Sequence, residues 1–155
     1  MNNLIAVKTI TILALFALLG GCAGIAKAPD HLDKQAKEFK AHPDYSQVYV
    51  YRNESFGGAI SMPVTIDGEL AGTTGPNSFF KFNLLPGVHT ITSQEDESKL
   101  KITTKRNELY FVWQEVKMGA FSAGSKLQLV NASQGKSGVL ESTLIDSKAG
   151  INPNK

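Results

Sequence analysis

The stretch PVTIDGELAGT, residues 63–73, contains two short runs that favour extended backbone on either side of an Asp67-Gly68 pair. An Asp-Gly pair between two such runs is typical of a two-residue hairpin turn, because that turn needs positive φ angles that these residues tolerate. We therefore predict strands over Pro63–Ile66 and Leu70–Thr73, joined as a tight antiparallel hairpin.

Short runs of this kind recur on both sides of the hairpin, separated by turn residues such as Pro86-Gly87 and by the segment 119–124. Alternation of apolar and polar residues favours strands with one buried face. The further strands that we predict are Val48–Arg52, Phe79–Leu84, Val88–Ser93, Leu100–Thr104, Tyr110–Met118, Lys126–Val130 and Val139–Ile145. This spacing indicates an all-β sandwich or barrel. We expect an antiparallel β-sandwich of about seven to nine short strands.

A short helix is predicted ahead of the strands, over Asp30–Lys40, within a helix-and-linker segment of residues 30–45. Asp30 is a suitable N-cap, and lysines near the end suit the helix dipole. Three apolar residues form one narrow stripe: Leu32, Ala36 and Phe39. We expect this stripe to dock the helix on the domain, and a membrane-surface helix is the alternative.

The first 21 residues have the features of a secretory signal peptide. Lys8 is their only charged side chain, and Ile10–Leu19 is an apolar run too short for a transmembrane helix. Small residues then lead to a cysteine in the order Leu19-Gly20-Gly21-Cys22. This order resembles the lipobox of bacterial lipoproteins, so we predict a lipoprotein signal peptide over residues 1–21.

The lipobox resemblance implies a diacylglyceryl group on the sulfur of Cys22 and, in many hosts, an acyl chain such as palmitate on its new amine. More than one buried chain gives stable membrane anchoring. Ala23 stands where an aspartate commonly retains lipoproteins in the inner membrane. We therefore expect a lipidated tether over residues 22–29. We also expect the protein to be located on the periplasmic face of the outer membrane. An ordinary secretory signal or an uncleaved anchor is the alternative.

The remaining 134 of the 155 residues suffice for one domain. We place a β-sandwich domain at residues 46–146 and a C-terminal tail at 147–155. Of the 16 basic and 14 acidic residues only Lys8 precedes Cys22, so the mature part has a formal charge of +1. Because nucleic-acid binding needs clustered Lys and Arg, we expect no nucleic-acid partner.

Four segments in a fixed order carry a family resemblance: VYVYR (48–52), VTIDGELAGT (64–73), SFFKFNLLPGVHTI (78–91) and ELYFVWQEV (108–116). They resemble a group of bacterial lipoproteins known as a domain of unknown function, over residues 36–145. The resemblance implies a sandwich similar to transthyretin-like and PEGA-type domains, and an accessory or binding module. It carries over no catalytic residues.

Two short motifs are interpreted as chance matches in a polar turn. Gly135-Lys136-Ser137 is similar to the end of a P-loop, but Val130 stands where the loop needs another glycine. Ser133 and Lys136 match the S-x-x-K motif of penicillin-interacting enzymes, without its partner motifs and without an expected helix. No nucleophile, base and orienting group form a set, so we expect no enzymatic activity.

Metal and cofactor sites are also not expected. The three histidines, His31, His42 and His89, form no close ligand pair, and the only cysteine is the predicted lipidation site. We interpret His89 as a residue that shapes a hairpin. Glu95-Asp96-Glu97 is interpreted as a solvated loop, with weak calcium binding as the alternative.

The aromatic residues give the one candidate binding surface. Alternation places Tyr49 and Tyr51 on one side of their strand, and it places Phe111 and Trp113 on one side of the long strand, beside charged residues. Such aromatics either fill the sandwich or form an open surface for a glycan, a peptide or an envelope protein. We expect a membrane-anchored, non-enzymatic binding or assembly module of the envelope. An envelope enzyme acting on peptidoglycan or another polymer is the alternative.

Overall fold

The computed structural model describes residues 25–55, 60–94, 98–119 and 123–148. These ranges contain two helices and nine strands. In chain order they are α1 (Asp30–Ala36), β1 (Ser46–Arg52), β2 (Met62–Ile66), β3 (Glu69–Thr74), β4 (Ser78–Leu84), β5 (Gly87–Ser93), β6 (Ser98–Thr104), β7 (Leu109–Met118), β8 (Ala123–Val130), α2 (Ala132–Leu140) and β9 (Thr143–Leu144). The predicted all-β class is confirmed, and the first eight predicted strands are present.

The strands form two sheets, one with the order β8-β7-β1-β4-β9 and one with the order β3-β2-β5-β6. Most neighbours are antiparallel, but β1 runs parallel to β7, and β9 runs parallel to β4. Parallel neighbours need a long connection, which the five strands between β1 and β7 supply. The expectation of a purely antiparallel sandwich is therefore corrected: the five-stranded sheet is mixed.

The two sheets pack face to face around an apolar core. Alternate side chains of both sheets form one buried cluster, which includes Val48, Val50, Val64, Ile66, Phe80, Phe82, Ile91, Ile102, Val112 and Leu127. Full burial of such a side chain contributes about 1.5–3 kcal/mol. Because the chain has one cysteine and no internal disulfide can form, this packing is the main source of its stability.

A buried polar network links the two sheets beside this core. Gln114 on β7 is fully buried, and its side-chain oxygen accepts a hydrogen bond of 2.5 Å from Thr74 Oγ1 on β3. Its Nε2 donates to Ser93 Oγ on β5 over 2.6 Å. Because buried polar groups are costly when unpaired, this network favours one alignment of the two sheets.

The predicted Asp-Gly hairpin is confirmed. Asp67 and Gly68 have φ angles of 52° and 86°, and they connect β2 to β3. The Asp67 carboxylate accepts hydrogen bonds from the Thr90 backbone N–H (2.8 Å) and from His89 Nδ1 (2.6 Å). His89 Nε2 lies 2.8 Å from the Leu85 carbonyl oxygen. His89 therefore ties the hairpin to the turn before β5, in agreement with its interpretation from the sequence.

The outer face of the five-stranded sheet is covered by the helical segments. A second buried cluster lies there, made of Ala36, Tyr49, Tyr51, Phe79, Phe111 and Val139. Strand β1 lies between the two clusters, and all seven of its residues are buried. The domain therefore has three layers: a four-stranded sheet, a five-stranded sheet and a partial helical cover.

The strand predicted over Val139–Ile145 is wrong in its first part. Val139 belongs to α2, and only Thr143–Leu144 forms a strand. The Asn131 side chain caps α2 by accepting from the Gln134 backbone N–H at 2.9 Å. Because α2 contains two glycines and two serines, its intrinsic helix propensity is low. The helix depends on tertiary packing, which periodicity does not reveal.

Helix α1 ends earlier than predicted, at Ala36, and its N-cap is Pro29 rather than Asp30. It docks on the domain as predicted, because Ala36 is buried and Asp33 Oδ1 accepts from the Leu144 backbone N–H at 2.7 Å. Leu32, by contrast, is 39% exposed. The docked stripe is therefore narrower than expected.

The predicted tether over residues 22–29 is too long. Lys27 forms an antiparallel bridge with Ile145. The flanking hydrogen bonds are Ala28 N–H to the Leu144 carbonyl (3.0 Å) and Asp146 N–H to the Ala26 carbonyl (3.2 Å). Ile25 also lies against Gly75, so the chain contacts the domain from Ile25 onward. Residues 1–24, with the predicted signal peptide and Cys22, and 149–155 of the predicted tail lie outside the described residues.

Candidate functional site

The four aromatic residues predicted as a binding surface are neighbours in the structure. The parallel register of β1 and β7 places Tyr49 opposite Phe111 and Tyr51 opposite Trp113. The rings of Tyr49 and Phe111 stack, with centroids 5.1 Å apart and an interplanar angle of 18°. All four side chains lie on the helix-covered face of the five-stranded sheet.

Three of these residues are closed to partners. The exposed fractions of Tyr49, Tyr51 and Phe111 are 0%, 2% and 1%. The Phe39 ring lies 5.7 Å from the Tyr49 ring and 5.9 Å from the Phe111 ring, and the Tyr49 hydroxyl donates to the Ala36 carbonyl at 2.9 Å. Burial raises the pKa of Tyr49 far above its usual value. The alternative of an open surface is wrong for these three residues, because the helical segments cover them.

Helix α2 reaches the aromatic rings through two glycines. A β-carbon at Gly138 would lie 2.0 Å from Cε2 of Tyr51, and one at Gly135 would lie 2.2 Å from Cβ and Cγ of Phe111. The helix backbone therefore rests directly on these two rings.

Trp113 is the one member of the set that is only half-buried. It lines a pocket of about 330 Å³ between the sheet and α2. The sheet side contributes Tyr51, Asn53 and Trp113, and the helix side contributes Gln134, Ser137, Gly138 and Glu141. We call this the Trp113 pocket. Its polar helix residues are spaced by three and four positions, so they share one face of α2 and its end.

The carboxylate of Glu141 is the fixed charge of the Trp113 pocket. Asn53 Nδ2 donates to its Oε2 at 2.8 Å, and Ser137 Oγ donates to its Oε1 at 3.4 Å. Burial raises the pKa of Tyr51 to about 12, with further contributions from Glu54 and Glu141. The Tyr51 hydroxyl therefore stays neutral, and can donate a hydrogen bond, at physiological pH.

The indole of Trp113 supplies a donor without an acceptor. Its Nε1 is buried and has no hydrogen-bond partner in the described part of the chain. A buried polar group left unpaired costs about 1–3 kcal/mol. The lining of the Trp113 pocket thus includes the indole of Trp113 and a carboxylate that two neighbours hold in place.

The two motifs interpreted as chance matches lie on a helix, not in the expected polar turn. Ser133 and Lys136 are both in α2. Lys136 Nζ lies over the Phe39 ring, 5.4 Å from its centroid. This cation–π contact assigns Lys136 a packing role against the helical cover.

The described residues contain no group of three or more His, Cys, Asp or Glu side chains arranged for a metal ion. His42 packs against Tyr45, with ring centroids 4.9 Å apart, and His31 is exposed. His89 is engaged with Asp67.

Sequence reasoning missed four residues of the Trp113 pocket: Asn53, Gln134, Ser137 and Glu141. Three of them have helical spacing, which could have grouped them. That signal was hidden because their segment was divided between a predicted turn and a predicted strand.

The family model described as protein of unknown function (DUF2846) matches residues 42–125. This range holds β1 to β7 and the sheet side of the Trp113 pocket, but not α2. An "Uncharacterized protein" of Haemophilus influenzae is 30% identical over 132 residues, which span 83% of this chain and 79% of that protein. No solved structure matches the chain. Within the described ranges, none of the helices has the length and apolar character needed to span a bilayer.

Proposed function

Given that the chain belongs to the DUF2846 family, we propose that it is a lipid-anchored protein of the bacterial cell envelope and acts as a non-enzymatic binding module. Cys22 is the lipidated residue in this proposal. The expected location is the periplasmic face of the outer membrane, because Ala23 follows the cysteine.

The proposed membrane anchoring is supported by the short segment that separates Cys22 from the domain. Ile25 packs against Gly75, where a β-carbon would lie 2.3 Å from Ile25 Cδ1. Three residues of extended chain reach at most about 11 Å. A lipid on Cys22 would therefore hold this side of the domain close to the bilayer surface.

One observation carries the binding part: the Trp113 pocket has a half-buried indole and an oriented carboxylate among its lining residues. Concave sites with aromatic walls and a few fixed polar groups are typical of small-ligand binding. The Asn53 and Ser137 side chains both donate to Glu141. They hold an acceptor in place, and this arrangement favours recognition over nucleophilic chemistry.

The anchoring is tested by metabolic labelling with a palmitate analogue in cells that express tagged wild type or Cys22→Ser. We expect label and membrane fractionation for the wild type, and loss of both for Cys22→Ser. Equal labelling of the two forms would contradict the proposal. A Ser55→Ala variant, which changes a residue outside the predicted lipobox, is the matched control and should label like the wild type.

The binding part is tested by pull-down from intact envelopes with the lipidated wild type and with Glu141→Gln. A specific ligand or partner should be retained by the wild type and depleted from the variant. Equal recovery by both forms would show that the Trp113 pocket does not carry the binding.

A further inference from the structure

We infer that the Trp113 pocket binds a neutral saccharide unit. This inference rests on the proposed binding function and names the ligand class for the same site. Three properties carry it: the aromatic wall, the presence of both a donor and an acceptor among the lining side chains, and the charge of the lining residues.

The aromatic wall fits the C–H face of a sugar ring. Trp113 is half-buried and presents its indole to the pocket. The face of an aromatic ring carries partial negative charge and its quadrupole attracts partly positive groups. The C–H bonds on one face of a pyranose ring are such groups. Because they carry no formal charge, removing them from water costs little free energy.

The polar groups of the pocket need a ligand that both accepts and donates hydrogen bonds. Gln134 lines the pocket and has a side-chain amide that can donate, whereas Glu141 is an acceptor that Asn53 orients. A hydroxyl group can accept from the amide and donate to the carboxylate. An alkylammonium ion offers no acceptor to the amide donor.

The charge of the lining excludes anionic ligands. Glu141 is the one ionised side chain among the residues that line the pocket, and no Lys or Arg is found there in the described chain. Lys136, on the neighbouring turn of α2, is held over the Phe39 ring. A ligand carboxylate or phosphate would therefore meet repulsion without a compensating cation.

The volume sets the size of the ligand. The pocket measures about 330 Å³, which is at the small end of the usual range of about 300–1,000 Å³ for small-molecule sites. It therefore fits one sugar unit, free or at the end of a longer glycan.

Trp113 makes the test direct, because it is the only tryptophan of the chain. The full-length lipidated protein, in a polyoxyethylene detergent that carries no sugar, is titrated with N,N′-diacetylchitobiose, maltose, glucuronate and tetramethylammonium chloride. We expect a saturable change in tryptophan emission with at least one of the two neutral disaccharides, and none with glucuronate or tetramethylammonium. No saturable change with either disaccharide would overturn the inference. Saturation by tetramethylammonium alone would also overturn it and would assign a cation site.

Variants locate the binding. Glu141→Gln keeps an acceptor for Asn53 but loses the charge, and we expect its affinity to fall about tenfold, because hydrogen bonds to ionised acceptors are stronger than neutral ones. Glu69→Gln makes the same charge change in the β2–β3 hairpin and should bind like the wild type. An affinity of Glu141→Gln within threefold of the wild type would overturn the assignment to this pocket. Lipidation is measured by mass on the same preparation, so failure of the anchoring proposal is distinguishable from failure of this one.

Discussion

Gly138 lies against the ring of Tyr51 so closely that a β-carbon at this position would be 2.0 Å from Cε2 of the ring. This relationship seats α2 on the five-stranded sheet. It also forms the floor of the Trp113 pocket, because both residues line it. Position 138 thus accepts a hydrogen atom and nothing larger unless the helix moves.

Replacement Gly138→Ala should therefore destabilise the protein, although alanine is the better helix former. The propensity gain is about 1 kcal/mol, whereas overpacking against a buried ring costs about 3 kcal/mol. We expect a net loss of about 2 kcal/mol in the free energy of unfolding, measured by urea titration followed by circular dichroism. Ser133→Ala, at an exposed position of the same helix, should change it by about 0.5 kcal/mol or less. A Gly138→Ala variant as stable as the wild type would show that α2 does not rest on Tyr51.

The cap of α2 gives a second prediction. Asn131→Ala removes the acceptor of the Gln134 backbone N–H and should lower the free energy of unfolding by about 1 kcal/mol. Asn131→Asp keeps an acceptor at the same position and should stay within about 0.5 kcal/mol of the wild type. Thermal unfolding of the three proteins checks this. Equal melting temperatures for the alanine and aspartate variants would speak against the cap.

The hydrogen bond between Gln114 and Thr74, which links the two sheets, can be tested with a double-mutant cycle. Gln114→Leu removes one of the two acceptors of the Thr74 hydroxyl, which keeps the Met62 carbonyl at 3.1 Å, and should cost about 1 kcal/mol. Adding Thr74→Val removes the hydroxyl as well. We expect the double variant to lose less free energy of unfolding than the two single variants lose together, by at least about 0.5 kcal/mol, measured by urea titration. Additive losses would mean that the two side chains do not interact.

Stability should fall at alkaline pH partly through Tyr51. Its pKa is raised from 10 to about 12 in the folded state, so the folded protein holds a proton that the unfolded chain releases. The resulting contribution is complete below pH 10 and is lost as the pH rises from 10 to about 12, on the order of 2 kcal/mol in total. Unfolding free energies at pH 9 and pH 12 should differ less for Tyr51→Phe than for the wild type. Identical pH dependence of the two proteins would refute this assignment.

The strands were predictable because their signals are local. Asp67-Gly68 fixes a turn through its own φ angles, and the alternation in β1 correctly separated Val48 and Val50 from Tyr49 and Tyr51. Which strands pair is not a local property. The parallel contact of β1 with β7 joins residues more than 60 positions apart, and no sequence period marks it.

The burial of the aromatic face was not predictable for a related reason. Alternation shows that Tyr49 and Tyr51 share a side, but it does not show what lies on that side. Ala36 and Phe39 cover Tyr49, and α2 covers Tyr51 and Phe111. The glycines of α2 weaken its helical pattern and are at the same time the residues that let it approach these two rings. The residues that make the contact are therefore the ones that obscured the helix.

The bridge between Lys27 and Ile145 determines how a mechanical load enters the domain. A pull on the chain ahead of Ile25 loads the contact of Ile25 with Gly75 and then this bridge, at the edge of the five-stranded sheet, where two backbone hydrogen bonds flank it. These bonds break one after the other when the segment is peeled from the edge. If the membrane holds Cys22, drag on a bound glycan would extend this segment before it strains β1. Strand β1 is paired on both sides and carries Tyr51, so the pocket would keep its shape while the domain moves away from the bilayer.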